Sequence, residues 1–190
     1  QALAFYKENK EVSREKISQA DANDILDDPD CNFSHKDLGY LDFKDKDFTH
    51  CTMINTSFFG ADLRGANLAG SNLQRAYLNL ARLEKANFTG AILIEATIFQ
   101  PIFGQTNFKG ANLTNARMIG TLGNVDMSGA LIVNGQFGLD VGNQPMGQMK
   151  FDSSGGKFNN ANFEGADLNI ASFIFGDLRD ANLKNANLYR

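Results

Sequence analysis

The chain has 190 residues, 43% of them hydrophobic and 21% charged, with a formal net charge of −4. This length fits one domain with at most a short appendage, and the near balance of 18 basic and 22 acidic residues argues against a nucleic-acid partner. No apolar run approaches the roughly 20 residues that cross a bilayer, so we expect a soluble protein without a membrane partner. Gln1 in place of Met predicts a processed or trimmed amino terminus.

Residues 1–30 are charged and carry no repeat. Ser13 is placed to cap a helix that includes Ile17 and Ala20, and the acidic, proline-containing run at 27–30 would end that helix. The open end of a repeat structure exposes unpaired strand edges and apolar side chains. We therefore expect residues 1–30 to form a helical or loop cap on the repeats that follow.

From residue 31 onward the sequence repeats with a period of five. A large apolar residue stands at the centre of each unit, and the residue two places earlier is small in most units after position 60. The central residues are Phe33, Leu38, Phe43, Phe48, Met53, Phe58, Leu63, Leu68, Leu73, Leu78, Leu83, Phe88, Leu93, Ile98, Phe103, Phe108, Leu113 and Met118, and later Phe158, Phe163, Leu168, Phe173, Leu178, Leu183 and Leu188. This period fits neither the 3.6 residues of a helix nor the 2.0 of a strand, so neither element could bury these positions together.

The repeated units resemble those of the pentapeptide-repeat proteins. Typical units are Ala111-Asn112-Leu113-Thr114-Asn115 and Ala181-Asn182-Leu183-Lys184-Asn185, and the resemblance covers about residues 31–190. It implies an all-β fold, a right-handed quadrilateral parallel β-helix in which four units form one coil of twenty residues. With a short helical cap ahead of it, the chain would hold about seven to eight coils.

The stretch near 119–157 departs from the strict period. A continuous series of coils, with central residues Leu122, Met127, Ile132, Phe137, Val141, Met146 and Phe151, is the simpler interpretation. The steps from Met118 to Phe158 sum to forty residues, or two whole coils. The alternative is an excursion over about 138–157, where turn-forming sequences are frequent.

Cys31, His35, His50 and Cys51 form the one group of ligand-like residues. Both cysteines precede a central residue by two places and should point inward, whereas both histidines should lie at corners, which argues against a Cys₂His₂ zinc site. The twenty-residue spacing stacks Cys31 beneath Cys51. Reduced core cysteines are favoured over a disulfide because stacked parallel side chains are poorly oriented for one, and a metal site is least favoured.

Two surface features stand out. Asp47, Asn67, Asn87 and Asn107 are twenty residues apart and predict a structural column of polar side chains on one face. Apolar residues at outward positions predict a protein-contact patch, or alternatively a surface covered by the amino-terminal segment or by 138–157. The members of this patch are Ile92, Ile94, Phe99, Ile102 and Ile119.

No catalytic set, cofactor site or metal site is predicted, and we expect a non-enzymatic interaction scaffold with an unidentified protein partner. The lack of a cap after Leu188 suggests either a homodimer through the last coil or a trimmed chain. The resemblance implies an alternative function, because some pentapeptide-repeat proteins mimic DNA and inhibit or protect type II topoisomerases such as gyrase. It also suggests a cyanobacterial or bacterial source, with the thylakoid lumen or periplasm slightly favoured over the cytoplasm.

Overall fold

The computed structural model describes residues 13–138 and 150–189. Each five-residue unit makes one short extended segment and one tight turn. In the unit around Phe58, the N–H of Ala61 donates to the carbonyl of Phe58 at 2.9 Å. The last residue of most units has a positive φ, such as 66° at Gly65 and 57° at Asn115, which explains the frequent glycine and asparagine at that place.

Parallel bridges join each unit to the unit one coil later, and they form four ladders, one on each face of the molecule. Ladder 1 contains Asn32, Thr52, Asn72, Ile92, Asn112, Leu131, Asn162 and Asn182, and ladder 2 contains Asp37, Ser57, Tyr77, Thr97, Arg117, Gln136, Asp167 and Asn187. Ladder 3 contains Asp42, Asp62, Arg82 and Ile102, followed by Thr121, Asp152 and Ser172. Ladder 4 contains Asp47, Asn67, Asn87, Asn107, Asp126, Lys157 and Asp177. The chain is therefore a β-helix whose side chains alternate between the interior and the four faces.

The interior is filled by the central residues and by the small residues two places before them. Phe33, Phe58, Leu68 and Phe108 are all 0% exposed, and so is the small Ala61. A large and a small residue share each layer of the interior, so the small side chain leaves the room that the large one fills. This alternation accounts for the five-residue period.

The amino-terminal part of the described chain covers the first coil. Strand β1 (Glu15–Lys16) pairs in parallel with β2 (Lys36–Asp37), and helix α1 spans Gln19–Asp27 between them. Ala22 and Leu26 of this helix belong to the buried core. The expectation that Ser13 caps the helix is wrong, because the Ser18 hydroxyl accepts from the N–H of Asp21 at 3.1 Å and the preceding residues form β1.

A three-stranded parallel sheet marks the least regular corner. Strands β3 (Thr97–Phe99), β4 (Arg117–Thr121) and β5 (Phe151–Asp152) pair in that order. The central residues Met118 and Leu122 are four residues apart instead of five. Strand β4 therefore continues through this corner, where the other units form a turn.

The expectation of two whole coils between Met118 and Phe158 is wrong. Asp126 bridges to Lys157, 31 residues later instead of the expected twenty, so the described ladders pass from Gln136 directly to Asp152. Ser153 then takes the central position and donates to the carbonyl of Gly123 at 2.8 Å. The expected centres Val141 and Met146 lie outside the described residues, and Phe151 is buried two places before the centre.

Candidate protein-contact surface

The five residues of the predicted patch lie on three faces. Ile92 and Ile94 belong to units of ladder 1, Phe99 and Ile119 to units of ladder 2, and Ile102 to ladder 3. Ile92 is 36% and Ile102 51% exposed, whereas Ile94 and Phe99 are half-buried. The five side chains therefore spread over three faces instead of lying on one.

Phe99 and Ile119 pair in register between β3 and β4, as the twenty-residue spacing predicts. Ile119 is only 5% exposed, however, so its place in an exposed patch is wrong. It lies within the continuous strand β4, and the following N–H of Gly120 donates to the carbonyl of Lys150 at 3.1 Å. The chain at Lys150 thus runs directly beside this site.

A more continuous apolar surface lies along ladder 2 and its corner toward ladder 3, and we call it the corner stripe. It consists of Tyr40, Phe59, Tyr77, Leu80 and Phe99. The rings of Tyr40 and Phe59 meet edge to face at 5.5 Å, and those of Phe59 and Tyr77 stack at 6.0 Å. The N–H of Leu80 donates to the carbonyl of Phe99 at 3.1 Å, so the backbone of the same corner pairs with the fourth coil.

The corner stripe includes Tyr40, the most exposed large apolar side chain among the described residues of the first four coils. Tyr40 is 73% and Leu80 51% exposed, whereas the other three members are half-buried. With a coil spacing of about 4.8 Å, the stripe is about 14 Å long. Of its members only Phe99 was predicted, although Tyr40 and Leu80 occupy the same corner two coils apart, and Phe59 and Phe99 are likewise forty residues apart.

A charged group from the amino-terminal part of the chain borders the stripe at Tyr77. Arg14 Nε donates to the carbonyl of Asn55 at 2.9 Å, and its guanidinium lies 5.9 Å from the centre of the Tyr77 ring. Burial lowers the pKa of Arg14, and Asp37 and Tyr77 act in the opposite direction. The guanidinium thus holds the residues just before β1 against Tyr77, while Tyr40 and Leu80 are exposed within the described part of the chain.

Cys31 and Cys51 form a disulfide between the first two coils, with their Cα atoms 4.7 Å apart. The preference for reduced thiols is wrong in this structure, and the cause is local. Cys31 has a φ of 23°, and its N–H donates to the carbonyl of Asp28 at 3.0 Å in the connection from the helix. Its side chain therefore need not run parallel to that of Cys51.

The two histidines have different surroundings. The Nε2 of His50 lies 4.0 Å from Cys51 Sγ and 3.2 Å from the carbonyl of Leu26. His35 is remote from this group, since its Nδ1 accepts from Asn55 Nδ2 at 3.0 Å. The four side chains of the Cys₂His₂ set considered from the sequence therefore do not converge.

The polar residues of ladder 4 act mainly within their own turns. Asn67 Oδ1 accepts from the N–H of Ala69 at 3.1 Å, and Asn87 Oδ1 accepts from the N–H of Thr89 at 3.0 Å. Asn67 and Asn87 contact each other only at 3.5 Å. Aspartate and asparagine are thus frequent before the central residue because their side chains close the following turn.

The last coil exposes apolar side chains that equivalent positions elsewhere bury. Leu183 and Leu188 are 36% and 57% exposed, whereas Leu68 is 0% exposed. Ile174 and Phe175 are 58% and 91% exposed at a corner of this coil. Helix α1, the single helix within 13–138 and 150–189, is too short to cross a membrane.

The sequence and structure were compared with known proteins. The family model described as pentapeptide repeats matches residues 30–65, 61–100, 91–132 and 154–185, in 8 copies. No match was found among the curated proteins. A trypsin-treated form of QnrB1, a plasmid-mediated fluoroquinolone resistance protein, has a TM-score of 0.55 at 19% identity, over 92% of this chain and 80% of that chain. This similarity concerns the fold alone.

Two other solved structures are more similar in sequence. HetL, a pentapeptide repeat protein involved in heterocyst differentiation regulation in the cyanobacterium Nostoc, is 27% identical over 83% of this chain and 74% of that chain, with a TM-score of 0.37. A pentapeptide repeat protein from the Arabidopsis thaliana thylakoid lumen is 26% identical over 64% of this chain and 71% of that chain, with a TM-score of 0.32. The family match extends over most of the ladders, and the chain belongs to the family of pentapeptide-repeat proteins.

Proposed function

We propose that this protein is a non-enzymatic scaffold that binds a protein partner through the corner stripe. The observation that carries the proposal is the continuous contact from Tyr40 through Phe59 to Tyr77, extended by the exposed Leu80. Exposed aromatic and aliphatic side chains that adjoin one another on a protein surface are typical of interfaces. A partner with apolar side chains of its own would fit this surface.

The proposed scaffold is a right-handed quadrilateral β-helix of seven to eight coils. Ladders 1 and 2, with eight residues each, and ladder 4, with seven, support this number. Strands tied to both neighbouring coils provide a stiff base, and stiffness reduces the entropy lost when a surface binds a partner. The side chains of the stripe are thus held at fixed spacings along the molecule.

Substitutions at the corner test this function. Leu80→Asn and Tyr40→Asn each remove an apolar side chain at a position with positive φ, 58° and 63°, where asparagine is well tolerated. We expect each to reduce binding about tenfold, or about 1.4 kcal/mol, while the far-UV circular dichroism stays unchanged. Leu131→Asn is the matched control, because Leu131 is 41% exposed on ladder 1, away from the stripe.

The binding measurement is a quantitative capture from extracts of the source organism with the four proteins in parallel. A partner of the stripe is retained by wild type and Leu131→Asn and lost from Leu80→Asn and Tyr40→Asn. Equal recovery with all four folded proteins would contradict the proposal.

The alternative, DNA mimicry toward a type II topoisomerase, receives less support from the charges. Acidic side chains on the faces are paired with neighbouring basic ones, as in Asp62–Arg64 at 2.6 Å and Asp177–Arg179 at 2.7 Å. Ladder 4 also alternates acidic residues with Asn107 and Lys157. A DNA mimic needs a sustained negative surface to replace a polymer with one charge per about 1.7 Å.

We also propose that two copies associate through the last coil. The exposure of the central residues Leu183 and Leu188 supports this, because an apolar coil end is a docking surface for a second copy, and the exposed Phe175 lies at a corner of the same coil. Light scattering across a range of protein concentrations should show a dimer that Phe175→Asn weakens. A monomer at all concentrations would contradict this part of the proposal.

An oxidising compartment, such as the thylakoid lumen or the periplasm, is proposed as the site of action. The disulfide between Cys31 and Cys51 supports it, because disulfides persist in such compartments and are rare in the cytosol. Rapid acid quenching of cells followed by thiol labelling should find both cysteines protected. Fully labelled cysteines in the source organism would contradict this location.

A further inference from the structure

The disulfide lies beside a histidine in an arrangement that disulfide formation does not require. Among the described residues, Cys31, His50 and Cys51 place one ligand atom each within 4.8 Å of one another. A tetrahedral zinc ion with bonds of about 2.3 Å to sulfur and about 2.0 Å to nitrogen places those two atoms about 3.6 Å apart. The 4.0 Å between Cys51 Sγ and His50 Nε2 is close to that value.

The backbone holds both cysteines in place independently of the sulfur–sulfur bond. The N–H of Thr52 donates to the carbonyl of Cys31 at 3.0 Å, and the N–H of Cys51 donates to the carbonyl of Phe48 at 2.9 Å. Without the bond, small side-chain rotations would carry the sulfurs to the roughly 3.8 Å of a zinc-bound pair. The two coils need not separate for this change.

Of the three residues, the histidine makes the site accessible from the solvent. Cys31 is 0% and Cys51 5% exposed, whereas the side chain of His50 lies at an exposed corner. Its Nε2 lies 3.2 Å from the carbonyl of Leu26 and 4.0 Å from the sulfur of Cys51, so rotation of the ring directs it to an ion between it and the sulfurs. Two thiolates and one imidazole leave a fourth tetrahedral position for water.

We propose that the reduced protein binds Zn²⁺ through Cys31 Sγ, Cys51 Sγ and His50 Nε2, and that oxidation to the disulfide abolishes the site. A dithiol supplies the two electrons and two protons that convert the disulfide to two thiols, and is itself oxidised to a disulfide. Zn²⁺ then displaces both thiol protons into solvent as two zinc–sulfur bonds form. The same pair of cysteines thus alternates between a covalent link and a metal site.

Cobalt titration of the reduced protein tests this proposal, since Co²⁺ occupies zinc sites and is coloured. The reduced wild type should bind one Co²⁺ with visible bands of a tetrahedral ion and near-ultraviolet thiolate absorption, and Zn²⁺ should remove both. His50→Gln should weaken binding by at least the 10- to 100-fold that changes outside the ligand set cause. The oxidised protein should show neither band.

His35→Gln is the matched control, because His35 is also an exposed corner histidine but contacts Asn55 instead of the cysteines. It should bind Co²⁺ as the wild type does. If the ion were bound by an unfolded chain, the two histidines would contribute equally to the affinity. Equal losses of Co²⁺ affinity in His50→Gln and His35→Gln would therefore overturn the proposal. The absence of thiolate bands in the reduced wild type, or an unchanged affinity in His50→Gln, would overturn it as well.

Discussion

Replacing the same central residue in the middle and in the last coil tests the packing of the β-helix. Leu68 is 0% exposed in a complete coil, whereas Leu183 is 36% exposed where no further described coil covers it. Leu68→Ala leaves a cavity between fixed coils and should reduce the free energy of unfolding by about 2 to 5 kcal/mol. Leu183→Ala leaves no closed cavity, and we expect a loss of about 1 kcal/mol from the smaller buried area.

Urea unfolding followed by far-UV circular dichroism measures both effects. The experiment is performed at several protein concentrations, because a dimer through the last coil would bury Leu183 and raise the cost of its removal. At the lowest concentration the two variants should differ by at least about 1 kcal/mol, following the estimates above. Equal losses there, or a loss below about 1 kcal/mol for Leu68→Ala, would refute the assignment of interior positions.

Three further predictions follow from the turns and the charges. Gly60→Ala should destabilise the protein more than Gly70→Ala in urea unfolding: both glycines have positive φ, but only at Gly60 would the added Cβ lie 2.6 Å from the Tyr40 ring. The hydrogen bond from the Arg179 side chain lowers the pKa of Asp177 from 3.8 to about 2. The ionised Asp177 therefore stabilises the fold fully above pH 3.8, and this stabilisation is lost as the pH falls toward 2. Asp177→Asn should flatten the acid limb of a plot of unfolding free energy against pH. A curve identical to that of the wild type would contradict this. Gyrase supercoiling should be unaffected by sub-micromolar protein, with or without a quinolone, and inhibition or drug protection would favour DNA mimicry.

The five-residue pattern predicts the interior and the pairing of coils because both depend on side-chain size at fixed intervals. Leu68 is buried and Phe99 pairs with Ile119 for that reason. The burial of Ile119 does not follow from the period, and it agrees instead with the alternative that residues within 138–157 cover this surface. It depends on the path of the chain near Lys150, which an insertion outside the repeat determines.

The cysteine pair shows a second limit of the pattern. The spacing predicts that Cys31 and Cys51 stack on adjacent coils, and the structure links them. Their relative orientation depends on the φ of 23° at Cys31, where the repeat begins and no preceding unit fixes the backbone. The pattern fixes positions inside the repeat better than orientations at its ends.

Part of the corner stripe was predictable from the same twenty-residue spacing of equivalent positions. Tyr40 and Leu80 share a corner because they are forty residues apart, which places them two coils apart. The predicted patch contains Phe99 but none of the members of the stripe in the earlier coils. The contact between Phe59 and Tyr77, however, joins two different positions of the unit and required the structure.

The central claim is that the corner stripe binds a protein partner, and site-specific photocrosslinking in cells of the source organism tests it most directly. A photocrosslinking amino acid is placed at position 80, within the stripe, and in a second protein at position 131, on another face. The account predicts a discrete crosslinked protein from position 80 that is absent from position 131. Crosslinks of equal yield from both positions, or none from position 80, would contradict it.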